Sequence, residues 1–489
     1  MWAGTTLEND FMIMRKIIFI GFVLLALMAC NNGKKQNKES GTKTIEISEE
    51  EQAYKTAIDA YIWAYPMVSI GVTCAMATDV PKPLPNAFAP INTFGSVSKL
   101  FTSADKDVVS SNVDTQYSSA FLDLTQGAVE ISVPATNGRY YSMMLMDAYS
   151  NVFDYIGSRT TGTDAGKYLI VGPDWNGETP ADVLKVFKAP TNLVWVIGRT
   201  LVDGQDDVAN VRKIQAQYIA KVIPPATASP SSWRDRNNFP AIDKTKPPVV
   251  NVNTIDWKTY FTWVGKLMME NPVPESQQSY VDNFKSIGLS FENGFEPSKL
   301  SSEQQKGLER AVAEALKQIK AASKKKTGTI HEGWFYSLKA GVWGDDYIYR
   351  AAIAYRSLGQ NIPEEAVYMN TTEDKDGNLL DAAKNNYQIT FAKGQLPPVN
   401  AFWSMTMYTD KNFFVPNSKR LAIGNRTKSM KPNKDGSLTI YFQKEAPKGN
   451  EGNWLPAPDG NFRVSLRLYV PKENVIDGSW LPPGIEIIK

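Results

Sequence analysis

The sequence predicts a mainly β, α+β fold, in which two antiparallel β-sandwich domains flank a helical connector. Three observations lead there. Apolar residues alternate with period two before about residue 202 and again, more plainly, after residue 366. Turn-forming dipeptides punctuate both regions, and the stretch between them switches to the 3.6-residue period of a helix. At 489 residues the chain also exceeds the size at which a single hydrophobic core stops growing. The expected organisation is an upstream extension and signal peptide (1–29), a lipidated tether (30–44), an N-terminal helix plus β-sandwich (45–223), a mainly helical connector (224–365) and a C-terminal β-sandwich (366–489).

Taken in order, Arg15 and Lys16 precede the apolar run 17–28, which is followed by Ala29 and Cys30. A basic start, a short apolar core and a small residue at the cut are the layout of a signal peptide. The run is too short to span a bilayer, which takes about 20 apolar residues. Leu27-Met28-Ala29-Cys30 resembles the lipobox of bacterial lipoproteins, which implies acylation of Cys30. Met14 reads as the initiator, because the residues before it place acidic groups ahead of the basic region. Residues 31–44 are polar, Lys-rich and without apolar periodicity, as in a solvated tether. The expected location is therefore outside the cytoplasm, on a lipid anchor in the cell envelope, at the outer membrane and facing the periplasm or the surface.

Ala53, Ala57, Ala60, Tyr61 and Ala64 recur at helical spacing and predict a close-packing helix that ends at Tyr65-Pro66. Val129, Ile131 and Val133 alternate with Glu130 and Ser132, a half-buried strand closed by Pro134. Pro224-Pro225 to Ser232 and Lys246-Pro247-Pro248 mark loops. Ser301 and Gln304 then fit a capping box ahead of the stripe Leu308, Val312, Leu316 and Ile319, which runs out at Lys324-Lys325-Lys326. Near the C-terminus Leu438, Ile440 and Phe442 alternate with polar residues, and so do Phe462, Val464, Leu466, Leu468 and Val470 with Arg463, Ser465, Arg467 and Tyr469. Both segments predict antiparallel strands with one wet face.

Two blocks carry a family resemblance. One comprises Asn112-Val113-Asp114-Thr115-Gln116-Tyr117-Ser118, Arg139-Tyr140-Tyr141, Asp147 and Gly157-Ser158-Arg159-Thr160-Thr161-Gly162. The other comprises Arg350-Ala351-Ala352, Pro397-Pro398-Val399-Asn400-Ala401-Phe402-Trp403-Ser404, Asn453-Trp454-Leu455-Pro456 and Gly478-Ser479-Trp480. Together they resemble a bacterial exported family that combines domain of unknown function 1254 with domain of unknown function 1214, in that order. The resemblance covers most of the mature chain and implies two jelly-roll-like β domains joined by helices, in a protein that self-associates as a homo-oligomer. Gln116 departs from it, standing where an apolar residue is expected.

Composition excludes much chemistry. The single histidine, His331, rules out metal sites built on several imidazoles and forces any Ser-His-Asp machine through one residue. Its neighbour Glu332 could orient it as a base, but no nucleophile elbow lies nearby. With Cys30 acylated, Cys74 is left without a disulfide partner. A net charge of +2, from 53 basic and 51 acidic residues without long blocks, gives no reason to expect nucleic acid as a partner. No phosphate-binding glycine loop is found, so no nucleotide cofactor is expected. Asp374-x-Asp376-Gly377 resembles the start of a calcium loop but lacks its further ligands, and reads as a turn.

Asn112, Asp114 and Tyr117 precede a strand, where a rigid scaffold can present polar side chains. With Arg139, Asp147 and Arg159 they offer guanidinium groups and carboxylates suited to binding or acid/base work. The plainer reading is that the Asx side chains cap turns and the arginines neutralise carboxylates. Trp343 to Arg350 places aromatics and paired acids at a helix start, where capping explains the acids. Trp403, Trp454 and Trp480 accompany prolines as packed corners, or else form a platform for stacking sugars. The leading functional reading is a ligand-binding or assembly protein of the envelope, anchored in the membrane by its lipid and taking a glycan or small molecule. A second is an envelope hydrolase or lyase using carboxylate, Arg and Tyr groups of the N-terminal β domain, since glycosidases manage with two carboxylates. A third is a module dependent on a divalent cation held by Asn112 and Asp114.

Overall fold

The computed structural model describes residues 47–105, 110–223, 233–325, 327–418 and 420–488. The leader, Cys30, the tether, the proline run 224–232 and Lys326 lie outside the described residues. Helix α1 (Glu49–Thr78) opens the body. Ser48 caps it, its hydroxyl accepting from the Glu51 N–H at 3.2 Å, and Glu49, Glu50 and Glu51 set negative charge against the positive end of the helix dipole. The sequence ends this helix at Pro66, but it continues to Thr78. Losing a hydrogen bond at an internal proline costs about 3 kcal/mol. Beyond it Met67, Val68, Ile70 and Val72 are fully buried, and each such burial is worth about 1.5–3 kcal/mol. Packing therefore outweighs the break. Among the described residues α1 is the one helix long and apolar enough to cross a membrane, and 94% of its apolar window is buried within the protein.

Helices α2 (Trp257–Glu270), α3 (Ser302–Ser323) and α4 (Tyr347–Ser357) pack on α1, so the connector and the opening helix form one layer. The capping box of α3 is formed: Gln304 N–H donates to Ser301 Oγ at 3.1 Å, and Ser301 N–H to Gln304 Oε1 at 2.9 Å. Leu308 and Ile319 of the expected stripe are fully buried, and Val312 and Leu316 partly so. Closest to α1 runs a seam of small residues. A Cβ on Gly307 would lie 2.5 Å from the Glu50 carbonyl oxygen and 3.0 Å from the Ala53 Cβ, so only glycine permits this approach. A short hairpin, Leu289–Ser290 with Gly294–Phe295, joins the layer.

The N-terminal sandwich uses β1 (Gly95–Ser96), β2 (Thr115–Asp123), β3 (Val129–Val133), β4 (Tyr141–Asp147), β5 (Val152–Gly157), β6 (Gly166–Val171), β7 (Lys185–Lys188), β8 (Leu193–Leu201) and β9 (Ile219–Val222). A five-stranded sheet in the order β1-β2-β8-β4-β5 faces a four-stranded sheet in the order β7-β6-β3-β9. Val129, Ile131 and Val133 point into the shared core, against Leu122, Met143, Leu145, Val194 and Val196.

The C-terminal sandwich uses β10 (Thr329–His331), β11 (Trp334–Tyr336), β12 (Ala366–Thr371), β13 (Tyr387–Phe391), β14 (Val399–Thr409), β15 (Ala422–Gly424), β16 (Leu438–Gln443), β17 (Trp454–Pro456), β18 (Phe462–Pro471) and β19 (Glu486–Ile487). Its six-stranded sheet runs β10-β11-β12-β18-β14-β15, and its four-stranded sheet β17-β16-β13-β19. Nearly all pairings are antiparallel, β6 with β7 and β16 with β17 being parallel. Both sandwiches order their strands out of sequence, so the chain crosses repeatedly between sheets, as in jelly rolls. The α+β class expected from the sequence is the one observed.

The wet face predicted for β18 is not wet. Ser465, Arg467 and Tyr469 are at most 5% exposed, because this face of the six-stranded sheet lies against the N-terminal sandwich. Alternation records that the two faces differ in polarity; it does not record whether the polar one meets water or a second polar surface. The five-stranded sheet is likewise covered on its outer side. Phe121, Met144, Met146 and Ile197 join the helical core, while Tyr140 and Leu201 pack with Ala366, Phe402 and Tyr469 of the other sandwich. Two outer sheet faces thus meet inside one molecule.

Candidate functional site at the junction of the two sandwiches

Strand register sets the side chains of this junction in rows. On the C-terminal sheet Ala366, Tyr469 and Phe402 stand side by side, then Tyr368, Arg467 and Ser404, then Asn370, Ser465 and Thr406, and last Arg463 beside Tyr408. On the N-terminal sheet Tyr117, Arg199 and Ser142 form one row. The polar side chains of such rows, once removed from water, must find partners in each other.

The loop entering β2 supplies the first set. Asn112 Oδ1 accepts from the Asp114 N–H at 2.7 Å, an Asx turn, while its amide donates to Thr115 Oγ1 at 3.0 Å and to Tyr469 OH across the junction at 2.9 Å. Asp114, 3% exposed, accepts from Ser404 Oγ at 2.5 Å and from Arg426 at 2.6 Å, both from the C-terminal sandwich. Arg426 also contacts Asp203 and donates to the Val202 carbonyl at 3.2 Å, and it lies over the Phe402 ring. These residues border an open cleft of about 870 Å³, with Arg420 and Lys428 on its wall. The two oxygens of Asp114 thus face a hydroxyl and a guanidinium.

On the other side of the junction the cations outnumber the acids. Glu365, 1% exposed, accepts from Tyr140 OH and from Arg159 Nε, each at 2.7 Å. Arg199, Arg463 and Arg467 form no ion pair among the described residues and bond neutral groups instead. Arg199 donates to Asn361 Oδ1 at 3.0 Å and to the Gly359 carbonyl at 3.1 Å, and it stacks on the Tyr117 ring. Arg467 donates to Thr406 Oγ1 and to Tyr408 OH, both at 2.6 Å. Arg463 donates to Asn370 Oδ1 at 2.7 Å and to Ser110 Oγ at 2.6 Å. Burial pushes the Arg463 guanidinium down to about 10, so it stays charged at neutral pH. Burial also lifts the Tyr140 and Tyr469 hydroxyls well above the ordinary tyrosine value, so both stay protonated and can donate.

Of the residues singled out in the sequence, the junction gathers Asn112, Asp114, Tyr117 and Arg159. Arg139 sits apart, in a bidentate pair with Asp207 at 2.5 and 3.0 Å. Asp147 is used in a tight turn, accepting from the N–H groups of Tyr149 and Asn151 and from the Asn151 amide. Burial raises its pKa to about 6. Arg350, 1% exposed on α4, donates to the Trp63 carbonyl at 2.9 Å. Trp403 is packed within the C-terminal core beside Phe391. Trp454 is half-buried, its Nε1 donating to the Gln443 carbonyl at 2.8 Å, and Trp480 donates to the Gln395 carbonyl at 3.2 Å. His331 ends β10, and Glu332 accepts from the Gly484 N–H at 2.6 Å. Asp374 accepts from the Asp376 and Asn378 N–H groups, the tight turn its spacing indicated. Among the described residues no group of three or more His, Cys, Asp and Glu side chains comes together.

Arg199, Glu365, Ser404, Arg426, Arg463 and Arg467 were not among the candidate site residues read from the sequence. The available signal was the pair of arginines four apart on β18, interleaved with Ser465 and Tyr469, which is compatible with solvent or with an interface.

Residues 91–221 match the family described as Protein of unknown function (DUF1254), and residues 365–473 match Protein of unknown function (DUF1214). No curated protein matches the chain. Among solved structures, the VPA0106 protein from Vibrio parahaemolyticus is similar over 89% of this chain and 100% of its own, with 23% identity and a TM-score of 0.65, a likeness of fold. An uncharacterized protein from Burkholderia cenocepacia aligns over 90% of this chain and 93% of its own, with 12% identity and a TM-score of 0.43. Asp114, Tyr117 and Arg199 fall within the first matched segment, and Ser404, Arg426, Arg463 and Arg467 within the second. The chain thus carries a DUF1254 module followed by a DUF1214 module, and the candidate site lies where the two meet.

Proposed function

We propose that this protein is a lipid-anchored binding protein of the bacterial cell envelope that seats a small polar ligand, such as a short glycan, in the cleft between its two β modules. The cleft carries the reading: about 870 Å³, open to solvent and walled by both modules, it has the size and the place typical of ligand sites. Lys428 offers donors there and Asp203 an acceptor, beside the N–H groups that Arg420 and Arg426 do not spend on their own protein partners. Binding fits this wall better than the hydrolase or lyase alternative. Both Asp114 oxygens are engaged by donors, and Asp147 and Arg139 are held in separate contacts, so the carboxylate, Arg and Tyr groups of the N-terminal domain do not converge on one point. The anchor rests on Arg15, Lys16, the apolar run and Cys30 in the sequence alone.

The test of binding is a glycan and small-metabolite screen on the full chain, with Lys428→Glu as its partner. A ligand that binds the wild type and is weakened at least tenfold by Lys428→Glu supports the reading. Turnover of a glycoside or ester that is abolished by Asp114→Ala would replace it with the hydrolase. Self-association, which the family resemblance implies, is tested by sedimentation of the protein in detergent, where a monomer at all concentrations would remove it.

A further inference from the structure

We propose a second, anion-specific site in a separate cavity of about 360 Å³ on the far side of the junction, where Arg463 receives the carboxylate or phosphate group of a small organic anion. This site stands whether or not the larger cleft holds a ligand. Charge is the first reason for it. The described residues lining this cavity include Arg356 and Arg463 and no aspartate or glutamate. Behind the wall stand two further arginines, each 5% exposed: Arg467, on the same face of β18 as Arg463, and Arg199, bonded to the lining residue Asn361. The buried carboxylates of the junction are already engaged, Asp114 by Arg426 and Glu365 by Arg159. Among the described residues Arg199, Arg463 and Arg467 form no ion pair, Arg467 meeting the Asp114 charge only at longer range, and an anion arriving from solvent adds the negative charge that guanidinium groups withdrawn from water favour.

The hydrogen-bonding capacity points the same way. Arg463 has five N–H groups; among the described residues it uses two, on Asn370 Oδ1 and Ser110 Oγ, and with its Nε–H buried, one hydrogen on each terminal nitrogen is left for a ligand. Ser110 Oγ accepts from Arg463, and Tyr368 OH accepts from Asn361 at 2.8 Å, so among the described residues both hydroxyl hydrogens are uncommitted. Both residues line the cavity. A guanidinium flanked by two hydroxyl donors matches the oxygens of a carboxylate or phosphate. Asn370 and Ser110 hold the guanidinium against the Tyr408 ring, 4.6 Å from its centroid, so it is positioned before a ligand arrives. Aromatic side chains on the remaining wall, among them Phe335 and Tyr349, suit a compact ring as the body of the ligand.

The probes are benzoate, inorganic phosphate and, as a neutral control, benzamide, titrated calorimetrically into the full chain in detergent at low salt. Saturable binding of benzoate assigns a carboxylate ligand, and of phosphate a phosphoryl ligand, with benzamide inert in both cases. Arg463→Gln is expected to weaken binding at least tenfold, and Lys428→Glu, in the other cleft, to leave it unchanged. Should Arg463→Gln fail to fold, Tyr368→Phe removes only a hydroxyl and is expected to weaken binding three- to tenfold. Absence of saturable binding by either anion up to 10 millimolar, or binding indifferent to Arg463→Gln and Tyr368→Phe, overturns the site.

Discussion

Removing either partner of the Asp114–Arg426 pair should destabilise the protein, and by unequal amounts. Breaking a buried ion pair costs about 3–5 kcal/mol, because the remaining charge is stranded. The Arg426 side chain is 25% exposed and that of Asp114 4%. After Asp114→Ala, Arg426 keeps Asp203, the Val202 carbonyl and water, so the loss falls to about 2–3 kcal/mol. After Arg426→Ala, Asp114 keeps among the described residues Ser404, its own turn and the longer-range charge of Arg467, and about 3–5 kcal/mol is expected. The double variant should lose less than the sum of the two single losses, by a coupling of about 2 kcal/mol. Urea unfolding of the four proteins, followed by tryptophan fluorescence, measures all three quantities. Asp114→Ala costing more than Arg426→Ala, or a coupling under about 0.5 kcal/mol, would refute the claim that this pair is stabilising and that exposure sets its asymmetry.

The same packing sets other expectations. Gln116 is 2% exposed inside the N-terminal sandwich and neither of its amide atoms has a partner among the described residues, so Gln116→Met should stabilise by about 1–3 kcal/mol in thermal unfolding; a loss of stability would mean the amide is satisfied. For Asp147 the pKa in the folded protein, about 6, lies above the ordinary 3.8. The stability it contributes is fully present below 3.8 and lost as pH rises through 6, a change of at most about 3 kcal/mol. Asp147→Asn should therefore gain on the wild type between pH 4 and 7, and parallel pH–stability curves would contradict this. Gly307→Ala should lower stability by about 1–3 kcal/mol despite the better helix propensity of alanine, since the added carbon meets the Glu50 carbonyl; a higher melting temperature would show that the helices can separate without loss. Cys30→Ser should move the protein from the membrane to the soluble fraction of the envelope, and an unchanged distribution, or no palmitate label on the wild type, would remove the lipid anchor.

Much of the architecture was legible in the sequence because local chemistry fixes it. The capping box at Ser301 and Gln304, the period-two core positions of β3, β16 and β18, and the turn at Asp374 each depend on residues a few positions apart. Propensity misjudged Pro66, where the helix persists because other helices bury the residues beyond it. The candidate site was half legible. Asn112, Asp114 and Tyr117 stood out as polar residues ahead of a strand, but nothing local gives Asp114 a partner 312 residues away in Arg426, or Arg159 one 206 away in Glu365.

By itself, then, the sequence determined the elements and their order: a helix of small residues, two β regions and the helices between them. Only the tertiary structure decided that the polar faces of the two sandwiches turn toward each other rather than toward water. Side-chain alternation encodes a difference between faces, whereas the identity of what covers a face is settled by how whole layers dock. Among the described residues, that docking leaves Arg199, Arg463 and Arg467 of the junction outside any ion pair.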